Sequence, residues 1–144
     1  MLKYFFLFIT GLLLTGCSVE PQPIKFGTDM CEFCRMAISE PKFATEFVTK
    51  KGKVYKFDSI ECLIHFMRTN DIERNSLSHL LVNHYLKPNG FLDADKAFFL
   101  KSENLPSPMG EGLSAFSSSE EMQQMQKQYT GQYYTWSQLM EIIK

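Results

Sequence analysis

The chain carries no excess of either charge: fifteen Lys and Arg stand against sixteen Asp and Glu, a net charge of −1 over 144 residues. There is no basic run either, so the electrostatic footprint of a nucleic-acid binder is missing. Histidine is scarce, with three residues. No Ser-His-Asp arrangement, phosphate-cradling glycine loop or paired-acid constellation stands out, which points away from an enzyme. The apolar run from Phe5 to Leu14 falls well short of the ~20 residues needed to span a bilayer. Cysteine is limited to four residues, but they are not scattered. What the chain does have, 44% hydrophobic and 22% charged residues, suits one globular domain.

The leader comes first. Lys3 supplies a positive n-region, Phe5 to Leu14 an apolar segment, and Leu14-Thr15-Gly16-Cys17 follows directly. This pattern resembles a bacterial lipoprotein signal: residues 1–16 are removed and Cys17 becomes the lipid-bearing first residue. Residues 17–28, with Pro21 and Pro23, read as a polar tether, and residues 29–144 as a single metal-binding domain. The domain is then expected on the periplasmic side of a bacterial membrane, lipid-anchored. Ser18, rather than Asp, after the Cys is compatible with sorting to an outer membrane. With Cys17 acylated, Cys31, Cys34 and Cys62 remain. An odd number of thiols outside the cytoplasm cannot all pair internally, so at least one is free, liganded or exchanged with a partner.

From Phe43 the pattern is regular. Phe43–Thr49 and Val54–Phe57 read as a hairpin about the turn Lys50-Lys51-Gly52-Lys53. Asp58, three residues before Glu61, reads as a capping-box start for a helix from about Ser59 to Arg68. Ser78–Tyr85 and Ala97–Leu100 read as strands, Glu120–Tyr129 as a helix stopping near Gly131, and Thr135 opens a short helix through Ile143. Val54–Glu61 aligns with Leu113–Glu120: each is an apolar strand ending in Phe, then a Ser or Asp cap, then a Glu in the first helical turn. The expected fold is α+β, with two degenerate strand-strand-helix units in one compact domain and a treble-clef-like first half.

Chemistry concentrates in Asp29-Met30-Cys31-Glu32-Phe33-Cys34-Arg35-Met36. Thiols and thioethers are soft donors that select Cu(I) over hard cations. Cys31-x-x-Cys34 has the spacing either to hold a metal or to form a disulfide, and the residues alone leave both open. Met109 lies between two prolines and two glycines, on a loop rather than in a strand, and is a candidate ligand. Cys62-x-x-His65 after the hairpin approaches the layout of a treble-clef zinc site, making Cys62 a candidate and zinc the alternative metal. His65 sits beside Ile64 and Phe66, where a buried, hydrogen-bonded histidine is the commoner outcome. His79 and His84, five residues apart, fall on opposite faces of a strand and cannot chelate together. A thiol-disulfide oxidoreductase is the weaker alternative, because no strand precedes Cys31 and Pro41 follows too soon for a long helix.

The lipobox, the Asp29–Met36 block, Lys53-Val54-Tyr55-Lys56-Phe57-Asp58-Ser59 and Pro108-Met109-Gly110-Glu111-Gly112-Leu113-Ser114-Ala115-Phe116-Ser117-Ser118 together resemble the nitrous oxide reductase accessory lipoprotein family, NosL. The resemblance covers nearly all of the mature chain. It implies a pair of strand-strand-helix units and a Cu(I) chaperone that delivers copper to a copper-dependent reductase through its assembly machinery. Cys34, Met36 and Met109 match positions that the family associates with copper. Arg35 stands where the motif usually has Gly, which implies a local change in that turn. Cys62 lies outside the part of the motif carried over.

Overall fold

The computed structural model describes residues 19–144 apart from Asn89. The leader and Cys17 lie outside the described residues. Two antiparallel sheets make up the domain. The first runs in the order β2-β1-β3-β4, built from β1 (Thr45–Thr49), β2 (Val54–Phe57), β3 (Leu77–Asn83) and β4 (Phe91–Asp93). The second runs β6-β5-β7, from β5 (Phe98–Lys101), β6 (Leu113–Phe116) and β7 (Gln132–Tyr134). Helices α1 (Ile60–Thr69), α2 (Ser119–Tyr129) and α3 (Trp136–Ile142) complete it.

The internal repeat is present and longer than the sequence alignment suggests. Both units read strand, strand, helix, strand. In both, the first strand lies at the centre and pairs with the second and the last, as β1 does with β2 and β3, and β5 with β6 and β7. The aligned serines do the same work. Ser59 Oγ accepts from Cys62 N–H, and Ser118 Oγ accepts from Glu121 N–H, both at 3.2 Å. Each satisfies a donor that the helix start would otherwise leave unpaired. Asp58 is therefore not the cap of α1. Ser59 takes that role because its extended backbone, φ −154° and ψ 164°, aims the hydroxyl back into the first turn.

Apolar alternation decides which faces are buried. Phe47 in β1 is fully buried and meets Tyr55, Phe57 and Phe66 with ring centroids 4.8–6.1 Å apart. Truncating such a buried aromatic typically costs ~3–5 kcal/mol. The main core extends from the Cys31 hairpin through α1 to Trp136 and Leu139 of the second unit. A smaller core of Phe43, Leu100, Leu105, Phe116, Met122 and Met125 lies under α2. The two sheets meet where His84, just past β3, bridges Ala115 in β6, with Tyr85 N–H on Ala115 O at 2.9 Å. This joint sets the two units side by side and leaves a groove between them.

Candidate metal centre

Cys31 and Cys34 ride a small hairpin that precedes β1. Met30 and Ala37 form its antiparallel bridge. Cys31 N–H donates to Met36 O at 2.8 Å, and Arg35 N–H donates to Cys31 O at 3.0 Å. This pairing sets Met36 opposite Cys31, on the same face, and Met30 opposite Ala37 on the other. The turn closes through Arg35 at φ 64°, the left-handed region that glycine enters freely and arginine resists. The exchange of Gly for Arg at this position therefore shows as backbone strain. Glu32 N–H on Lys56 O at 2.9 Å ties the hairpin to β2. Lys56 Nζ holds the Asp29 carboxylate at 2.7 Å and the Pro23 carbonyl at 2.8 Å, and keeps the Asp29 carboxyl below the usual carboxylate range.

Helix α1 brings Cys62 beneath this hairpin, and the β2–α1 junction brings Asp58. The ligand atoms of Cys31, Cys34, Asp58 and Cys62 all lie within 4.8 Å of one another. All three cysteines are free thiols. Cys31 and Cys62 are fully buried and Asp58 nearly so, while Cys34 is half-buried and forms the outlet. Cys34 Sγ donates to Asp58 Oδ1 at 3.7 Å.

The protonation pattern follows from this geometry. A hydrogen bond from Cys62 holds the Cys31 thiol down to about 6 against its burial, helped by the backbone N–H groups of Cys34, Asp58 and Phe33. Burial pushes Cys34 up to about 11, and the same Cys31 hydrogen bond together with burial pushes Cys62 upward. The arrangement thus favours the thiolate at Cys31 and the protonated thiol at Cys34 and Cys62. A soft cation entering the site displaces the remaining protons. Three sulfurs and a carboxylate, buried and gathered around one point, are a donor set that a thiophilic cation satisfies.

The candidate residues divide. Cys31, Cys34 and Cys62 are brought together. Met36 is 48% exposed and, with Asp58, lines a groove of about 530 Å³ between the two units. Pro106, Ser107 and Pro108 line the same groove from the β5–β6 loop. Met109, the next residue, is 40% exposed at that loop's tip. Two stretches seventy residues apart in the chain therefore meet at one groove. His65 stays out of the four-donor cluster and stacks on Phe33, centroids 5.3 Å apart and planes 22° apart. Asp58 takes the corner that the treble-clef layout assigns to a histidine. Because Ser59 caps α1, Asp58 is not spent on the helix start and is free to join the cluster. His79 is half-buried in β3. His84 is buried, with Nδ1 accepting from Leu86 and Lys87 N–H and Nε2 on Glu121 Oε2 at 2.8 Å, a structural joint. Glu121 is drawn down to about 2 by Ser117 and then by this histidine.

The NosL family model matches residues 23–142 of this chain, a span that takes in the whole sulfur cluster, the groove and Met109. The chain belongs to the NosL family. A solved structure, the copper chaperone NosL from Shewanella denitrificans, shares 26% identity with it at a TM-score of 0.71, covering 83% of this chain and 95% of that one. No curated protein matches. As a NosL protein, the chain places Cys34 at the half-buried corner of the cluster and Met36 on the groove wall that Asp58 also lines. The two fully buried thiols, Cys31 and Cys62, lie behind them.

Proposed function

We propose that this chain is a Cu(I)-binding metallochaperone rather than an enzyme, tethered by a lipid on Cys17 to the periplasmic side of a bacterial membrane. In this reading it passes copper to nitrous oxide reductase during that enzyme's maturation. The observation that carries the copper reading is the gathering of three thiols within 4.8 Å, with Asp58 of the same cluster lining the groove that Met36 also lines. The NosL family membership and the similarity to a copper chaperone support it.

Copper here is cargo, so release matters as much as binding. The buried thiolates of Cys31 and Cys62 supply tight holding, and Cys34 supplies the exit. Thioethers bind Cu(I) without losing a proton and bind it more weakly than thiolates. Met36 and Met109, both exposed, are therefore the ligands that an incoming partner displaces first, with a thiolate releasing last. Anaerobic competition of the reduced protein against a Cu(I) chelator tests this. One-to-one binding, lost in Cys34→Ser and weakened in Met109→Ile, is expected. Weak Cu(I) binding in the wild type, with one zinc retained through purification, would overturn it. The oxygen of Asp58 in the cluster is the observation that favours this second reading, because a set of three sulfurs and one oxygen also suits a four-coordinate zinc.

A further inference from the structure

The β5–β6 loop is fastened at its base and loose at its tip. Leu105 is buried in the smaller core, and Ser102 N–H donates to Gly112 O at 3.0 Å. Gly112, at φ +65°, presses so closely on this strand that a Cβ would stand 1.9 Å from Ser102 O. At the tip, Gly110, at φ +85°, has open space where its Cβ would be, and Met109 beside it is exposed. Between base and tip, one side chain reaches across to the other unit. Ser107 Oγ donates to Glu61 Oε1 at 2.9 Å and accepts from Gly112 N–H at 2.9 Å.

Glu61 is an expensive residue to bury. It is 1% exposed in the first turn of α1, next to Cys62, and its Oε2 has no hydrogen-bond partner. It does not cap its helix, because Ser59 does. Its counterpart in the repeat, Glu120, is exposed at the same helical position, so the position itself does not demand burial. Glu61 is buried because the loop of the second unit covers it, and what it gives in return is the bond to Ser107.

We propose that Glu61 is a positioning residue that, through Ser107, holds the Met109 loop against the groove so that the Met109 thioether reaches copper held at Cys34. The latch connects the helix that carries Cys62 to the loop that carries Met109, so the two halves of the site move together. This rests on the Cu(I) reading above and specifies how its distant ligand is presented.

The test is Cu(I) competition on the full-length reduced protein, with Ser107→Ala, Glu61→Ala, Glu61→Gln, Met109→Ile and the Ser107→Ala/Met109→Ile double variant. Loss of a hydrogen bond to a carboxylate that sets one ligand should lower affinity about tenfold. Ser107→Ala, which leaves the buried carboxylate in place, is the variant expected to fold. It should fall to the level of Met109→Ile, with no further loss in the double variant. Glu61→Gln keeps an acceptor for Ser107 and should restore most of what Glu61→Ala loses. Additive losses in the double variant, or full affinity in Ser107→Ala beside a weakened Met109→Ile, would overturn the latch. Cu(I) affinity undiminished in Met109→Ile but lost in Cys34→Ser would also overturn it and leave the chaperone reading intact, whereas absence of Cu(I) binding in the wild type would remove both.

Discussion

Replacing Arg35 sets three energetic effects of similar size against one another. The residue closes the Cys31–Met36 turn at φ 64°, a conformation that costs an L-residue about 1–2 kcal/mol and glycine almost nothing. Glycine returns part of this gain, about 0.4–1 kcal/mol, through the greater freedom it gives the unfolded chain. Either substitution also removes the Arg35–Glu32 ion pair. With its side chains 72% and 37% exposed, that pair contributes at most about 0.5 kcal/mol. Arg35→Gly should therefore be close to neutral, while Arg35→Ala, which loses the pair and keeps the strain, should be less stable than Arg35→Gly by about 1 kcal/mol. Urea unfolding of the reduced metal-free protein at pH 7, with wild type and both variants side by side, measures the gap. In both variants the backbone bonds from Arg35 N–H to Cys31 O and from Cys31 N–H to Met36 O remain available, so Cu(I) affinity should change little. An alanine variant equal to or more stable than the glycine variant would refute the assignment of strain to this turn.

Burial pushes the Glu46 carboxyl up to about 7, only partly opposed by its bond from Gln22 N–H. The folded state then holds this proton more tightly than the unfolded state. The stability it contributes is complete below about 4.5 and is lost as pH rises through 7, by at most about 3 kcal/mol. Unfolding midpoints measured between pH 5 and pH 8 should fall more steeply in wild type than in Glu46→Gln, and parallel slopes would contradict this. In the β5–β6 loop, Gly112→Ala must move the Ser102 backbone and should cost about 3 kcal/mol, against about 1 kcal/mol for Gly110→Ala, which faces open space. Thermal melts of the two variants check the order.

Local chemistry wrote much of the fold into the chain. The Val54–Phe57 alternation, the serines at 59 and 118 and the apolar spacing of Ile60, Leu63, Ile64 and Met67 each act over a few residues, so a linear reading finds them. Strands β4 and β7 escaped because each has three residues and little buried surface. β4 folds back on Asn83 across a short loop, while β7 is placed by Lys101 from the far side of the β5–β6 loop and α2. The fourth member of each repeat was hidden for the same reason, since β3 joins β1 across the length of α1. At the site, the Cys31–Met36 block declared itself by composition. Asp58 did not, because an Asp before a helix reads first as a cap, and only the geometry of Ser59 frees it. The Glu61–Ser107 bond joins residues 46 apart in sequence, and no local pattern marks it. The repeat also ties function to position. Asp58 and Cys62 in the first unit occupy the places of Ser117 and Glu121 in the second, where that pair holds the His84 imidazole. The same scaffold corner thus frames the sulfur cluster in one unit and a structural joint in the other.

The central claim is that the sulfur cluster and the Met-lined groove hold Cu(I). X-ray absorption at the copper edge on the anaerobically loaded full-length protein tests it most directly. A first shell of sulfur alone, altered in Met109→Ile and dismantled in Cys34→Ser, is the result this account predicts. A shell dominated by nitrogen or oxygen, or a sulfur shell indifferent to the loss of Cys34, would contradict it.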